Sequence, residues 1–260
     1  MSGLDRRGAF KTERSQVLAF CDSLGPADWR MDSNAEGWSI KDVVAHMGSG
    51  CHALLTPHAL KMMRSSDIEQ ANDSLVDSRR DRLPHQVLDE YRRWSRLAAT
   101  VIPALARTPL GRVQTPLAQL GRFPMRLLLS ALVFDHHTHL RHDMAPALGV
   151  PAPGTDANRM AVALEWIMAV LDNQLRATRP IWLDRPLSIT LTGPGGGLWR
   201  VESSGAVTPG RSERAAAQIT GVALEFPAWG TRRAAWRDRA VDIAGDADYG
   251  AMFLDEMNIV

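Results

Sequence analysis

The hydrophobic period of this chain changes near residue 180, and that change demands two kinds of architecture in one polypeptide. Upstream, apolar residues recur at three- and four-residue intervals, the spacing of one helix face. After Pro180, Leu187, Ile189 and Leu191 alternate with Ser188, Thr190 and Thr192, the two-residue period of a strand with one buried face. A helical domain followed by a small mixed domain is therefore expected, which makes the chain α+β.

Within the helical part, a first helix is predicted over residues 4–24 from Phe10, Val17, Leu18, Phe20 and Leu24, and Gly25-Pro26 ends it. A second begins at Ser39, a good N-cap, with Val43, Val44, Met47, Leu54 and Leu55 inward, and Pro57 bends or stops it. Residues 64–83 are polar and read as a mobile connection or a short irregular helix, able to serve as a lid. Pro84 opens a third helix running to about residue 105, and a fourth covers 124–143. These four form an up-and-down bundle, or a variant with one longer crossover.

Residues 158–176 form a fifth helix, apolar on most sides, and so a buried helix between the domains. Strands are predicted on either side of the GPGGG turn at 193–197 and at 216–220 and 241–244, with helices at 223–229 and 246–254. The resulting boundaries are 1–150 for the bundle, 151–180 for the linking helix and 181–260 for the sheet domain. GPGGG lacks the Lys-Ser/Thr and the following helix of a phosphate loop, so it reads as a hairpin turn.

Composition excludes several functions. Thirty basic against 29 acidic side chains leave a net charge of +1, which offers no field for nucleic acid or anionic lipid. Cys21 and Cys51 form no CxxC pair, so neither a disulfide framework nor a thiolate zinc site is indicated. No signal-peptide core and no stretch of eighteen apolar residues occurs, which predicts a soluble cytoplasmic protein without a membrane partner. A small-molecule substrate suits such a chain, as a monomer or a homodimer.

Half of the eight histidines fall within FDHHTHLRHDM, residues 134–144. Four residues make about one helical turn, so Asp135 with His139, or His139 with Asp143, can converge on one metal ion, with His136 and His139 as a competing pair. A catalytic divalent site takes three protein ligands and leaves a position open. His46, on the second helix, is the candidate third ligand. Cys51 projects from another face of that helix and reads as an inert buried thiol; His52, His58 and His85 receive no role. Asp42, one turn before His46, could accept its ring N–H or satisfy the helix start, and Trp38 reads as a packing staple.

GWSIKDVVAHM, residues 37–47, resembles the signature that opens the metal-binding helix of the DinB-like superfamily, particularly its mycothiol-dependent maleylpyruvate isomerase branch. Asp135 and His139 stand where that branch carries Glu or His followed four residues later by His, and ALG at 147–149 also resembles it. The segments AAQITGVALEFPAWGTRR and VDIAGDADYGAMFL, at 216–233 and 241–254, resemble its small sterol-carrier-like domain. Asp135 is one methylene shorter than the branch's glutamate, and Asp143 lies one residue farther from His139 than in the common pattern.

The resemblance implies a DinB-like four-helix bundle followed by a sterol-carrier-like α+β domain. It implies a divalent metal, zinc first and nickel or manganese open, held by His46, Asp135 and His139. It further implies mycothiol or another low-molecular-weight thiol as cofactor, and Arg232 or Arg233 gripping a substrate carboxylate. Thr231 intervenes after PAWG, which leaves open the arginine that aligns. The activity implied is isomerisation or S-transfer on a small electrophile. The alternative is a metal- or ligand-binding module without catalysis.

Overall fold

The computed structural model describes residues 3–58, 65–210 and 214–259, and the chain divides into two compact units, Gly3–Gly154 and Thr155–Val260. The first unit is helical and the second holds the main sheet, so the α+β expectation stands. Residue 64 of the expected lid segment lies outside the described residues.

In the first unit, α1 (Arg6–Asp22), α2 (Ile40–Leu54), α4 (Pro84–Ala106) and α5 (Leu128–Thr138) make the bundle. Phe10, Val17, Ile40, Val43, Val44 and Met47 are fully buried, as are Tyr91 and Leu140. Each such side chain contributes roughly 1.5–3 kcal/mol by leaving water. Helices α2 and α4 approach closely at Gly48, where a β-carbon would sit 3.2 Å from the Tyr91 Cα. A side chain there would push the two helices apart by a few tenths of an ångström.

Residues 68–77 are more regular than the sequence suggested. They form α3 (Ile68–Asp77), capped by the Asp67 carboxylate, which accepts from the Glu69 and Gln70 N–H groups at 2.9 and 3.3 Å. Ile68 and Val76 are buried; two anchors two turns apart suffice once a cap closes the first turn. A short hairpin, β1 (Gln114–Pro116) and β2 (Arg122–Pro124), precedes α5. It was not anticipated, because three-residue strands leave no period to read.

The second unit begins with α6 (Ala157–Thr178), in which Met160, Leu164, Ile167 and Val170 are buried. Its five-stranded sheet has the order β5 (Val207–Pro209), β4 (Gly197–Val201), β3 (Leu187–Thr192), β6 (Ala217–Val222), β7 (Asp242–Gly245). The central pair β3 and β6 is parallel and the other pairings are antiparallel. Between β3 and β4 the glycine-rich stretch is indeed a turn. Gly195 has φ +76°, and a β-carbon there would meet the Ala157 carbonyl at 2.4 Å, so glycine is required for conformation and for closeness to α6. Two further helices, α7 (Phe226–Gly230) and α8 (Ala247–Glu256), complete this unit. Among the described residues no helix is long and apolar enough to cross a membrane.

Candidate metal centre

The local structure around His46 starts at Ser39. Its hydroxyl accepts from the Asp42 N–H at 3.3 Å, while the Asp42 carboxylate accepts from the Ser39 N–H at 3.1 Å. This reciprocal cap fixes the first turn of α2. It also decides between the two readings of Asp42: the carboxylate serves the helix start, with Arg80 3.4 Å away, and His46 Nδ1 is buried without a hydrogen-bond partner. One turn on, the inner stripe of α2 sets His46 into the bundle at 8% exposure.

Asp135 lies near the end of α5, and His139 begins a π-helical segment, His139–Met144, that continues it. Such a widened turn inside a helix is frequent at functional sites. Donor atoms of His46, Asp135 and His139 all lie within 4.8 Å of one another. His46 Nε2 is 2.8 Å from Asp135 Oδ1, and His139 Nε2 is 3.5 Å from the same oxygen. The two imidazoles meet edge to face with centroids 5.0 Å apart. Two helices distant in sequence thus bring three candidate ligands, two imidazoles and a carboxylate, to one point.

The electrostatics favour a fixed anion between two imidazoles. Burial alone would raise the Asp135 pKa, but the charge of His46 and hydrogen bonds from His136, His139 and His46 outweigh it and hold the carboxyl well below its usual range. Burial likewise disfavours a charged His139, yet hydrogen bonds to Asp135 and Asp143 lift its pKa to about 9. A cation would take the place of the protons they share.

Further residues surround the three donors. Trp38 covers the cluster, its ring 4.9 Å from His46 and 6.2 Å from His139, and its indole N–H donates to Asp73 of α3 at 3.0 Å. His136 is not part of the cluster; it is fully buried against Phe10 and Tyr91, with Nδ1 3.3 Å from Asp135 Oδ2. Glu13 and Arg141 form a buried ion pair at 2.8 Å that ties α1 to the π-helical segment. One signal could have exposed it: Glu13 falls between Phe10 and Val17 on the apolar stripe of α1. Cys51 is fully buried, and burial pushes its thiol well above the ordinary range, as an inert thiol requires.

Could a divalent ion fit? His46 and His139 are both buried, whereas the Asp135 side chain keeps 23% exposure, so two imidazoles and a carboxylate converge with access left on one side. That donor set suits zinc, nickel and manganese alike. The residues present fit the group.

Arg232 and Arg233 lie in the second unit, just after α7. Arg232 takes a left-handed conformation, φ +56°, and its guanidinium donates to the Met257 and Asp255 carbonyls at 3.0 and 2.6 Å. Arg233 donates to the Thr231 hydroxyl at 2.9 Å.

A family model described as the mycothiol maleylpyruvate isomerase N-terminal domain matches residues 10–141. Two solved structures, of a mycothiol-dependent maleylpyruvate isomerase and of its histidine-to-alanine mutant, each align with 92% of this chain and 92% of their own. Both give a TM-score of 0.59, at 15% and 14% identity respectively, a likeness of fold. Comparison with curated proteins gave no match. The family match spans just over half of the chain, including α2, α5 and all three residues of the cluster, and so the chain belongs to the mycothiol maleylpyruvate isomerase N-terminal domain family.

Proposed function

We propose that this protein is a metal- and thiol-dependent enzyme of the cytoplasm, acting on a small electrophile, with His46, Asp135 and His139 as the metal ligands. The observation that carries this reading is the convergence of the three donors beside a second carboxylate, Asp143, that fixes the tautomer of His139. When bound, a divalent cation, zinc first, supplies the positive charge that lowers the pKa of a thiol held beside it, so that a thiolate exists at neutral pH. Mycothiol is the thiol proposed from family membership.

The chain's own residues have separate tasks. Asp143 holds the Nδ1 proton of His139, which leaves Nε2 directed toward Asp135. His136 backs the outer oxygen of Asp135. Trp38, tied to Asp73, keeps bulk water from one side of the cluster. For the substrate carboxylate we propose Arg233, with Arg232, which donates to the C-terminal backbone, as the other candidate. Two reaction outcomes suit such a site: cis–trans isomerisation of an electron-poor double bond, as in maleylpyruvate, and S-conjugation at an epoxide or halide carbon.

The test is metal content of the purified full chain, followed by mycothiol-dependent turnover of maleylpyruvate and of a panel of epoxides and halides. Near-stoichiometric metal with thiol-dependent turnover is expected. Metal without any thiol-dependent turnover would leave a binding module, and no metal at all would remove the reading.

A further inference from the structure

A cavity of about 840 Å³ opens in the first unit, lined by the C-terminal end of α1, the turn that follows it and the first turns of α2 and α4. Neither Trp38 nor any member of the His46, Asp135 and His139 cluster lines it. Its size lies within the range of small-ligand sites.

The lining is sharply divided in chemistry. Leu24, Pro26, Trp29, Leu83 and Leu88 supply an apolar wall, and Arg30, Lys41, Arg80 and Arg82 supply cations. Asp42 is its one carboxylate, and the Ser39 cap already occupies it. Arg80 pairs with Asp77 and Arg82 with Glu90, both at 2.6 Å. Lys41 and Arg30 differ. Lys41 Nζ is held by the backbone carbonyls of Arg80 and Arg82, which position the ammonium without neutralising it. Arg30 has no ion-pair partner among the described residues.

Two cations without a carboxylate partner stand together at the edge of an apolar cavity. The apolar wall gains from being covered, whereas the cations gain from an anion held in geometry that water does not supply. The positive ends of α2 and α4 act in the same direction. The structure assigns this cavity as a binding site for a small organic anion, its apolar body against Leu24, Pro26 and Leu83 and its acidic head at Arg30 and Lys41. This site is independent of the metal reading and stands or falls separately.

The experiment titrates the full chain, labelled with nitrogen-15, with 2-naphthoate and with its neutral counterpart 2-naphthalenemethanol, following backbone amides by NMR. Naphthoate is expected to shift the amides of residues 24–30, 39–42 and 83–88 saturably, and the alcohol to bind at least about tenfold more weakly, since each tenfold is about 1.4 kcal/mol. Lys41→Met combined with Arg30→Gln should weaken naphthoate by a similar factor with the spectrum otherwise kept. Leu24→Trp, which crowds the apolar wall while both cations remain, should displace or weaken the same shifts, and His46→Ala should leave them intact. Equal binding of acid and alcohol, shifts scattered over the surface, or loss of binding in His46→Ala would overturn the assignment.

Discussion

His139 Nδ1 and Asp143 Oδ2 lie 2.7 Å apart, and that one contact orients the imidazole on which the cluster depends. A carboxylate at this distance keeps a proton on Nδ1, so that when the ring gives up its second proton to a cation the free lone pair is on Nε2, the atom that faces Asp135. Asp143 is fully buried on the π-helical segment, so no water competes for the bond.

From this relationship follows the first expectation. Asp143→Asn should lower metal affinity about 10- to 100-fold, as loss of an outer partner of a ligating histidine does, whereas His139→Ala should leave no retained metal. Competition against a chromophoric chelator measures both. An Asp143→Asn protein with unchanged affinity would mean that the contact orients nothing.

Arg233→Ala should keep metal content at the wild-type level while raising KM for a carboxylate-bearing substrate, because only the grip on the carboxylate is lost. Arg232→Ala should lower the melting temperature instead, since it frees the Asp255 and Met257 carbonyls that pin the C-terminal segment. Steady-state kinetics beside thermal melts will separate the two arginines. The reverse pattern would move the substrate role to Arg232.

Ser39→Ala removes one half of the reciprocal cap at the start of α2 and should cost about 1 kcal/mol. In a chain of this size that amounts to a fall in Tm of roughly 2–4 °C. Ser39→Thr should recover most of it. Should the alanine variant melt with the wild type, the cap contributes nothing to stability.

Glu90 accepts from Arg79 through both carboxylate oxygens, at 2.6 and 2.9 Å, and from Arg82 at 2.6 Å. Burial works to raise its pKa, but the hydrogen bonds and charges of the two arginines win and the value is lowered from 4.5. A carboxyl with a depressed folded-state pKa stabilises the protein above its unfolded value, and the contribution fades as pH falls from about 5 through the folded value. Glu90→Gln should therefore destabilise by about 2–3 kcal/mol at pH 7, leaving a buried Arg79 poorly paired, and should flatten the acid limb of the stability curve. Urea melts from pH 3 to pH 7 measure the effect; parallel curves for the two proteins would contradict it.

Much of the architecture was legible because periodicity reports burial directly. Residues 40–54 and 84–106 carry dense apolar stripes with Ser39 and Pro84 at their starts, and both helices form where the sequence places them. The segment at 68–77 was harder, because two buried residues in ten give no stripe, and only the Asp67 cap marks its helical start. Residues 114–124 pair as strands too short to show alternation.

At the cluster, helical spacing alone put Asp135 and His139 on one face and left His136 or Asp143 as rivals. Local sequence fixes such neighbours because the backbone repeat brings residues four apart together whatever the rest of the chain does. It cannot say which face turns inward. That His46 meets Asp135 across 89 positions, that His136 goes to Phe10 and Tyr91, and that Trp38 roofs the histidines were decided by helix packing. The sequence by itself determined which segments are helix and strand and which side chains can bind metal. The resemblance carried by the sequence already pointed to His46, Asp135 and His139; only the tertiary structure brings their donor atoms together and gives Asp143 the orienting role, because long-range packing sets the depth and rotation of each helix.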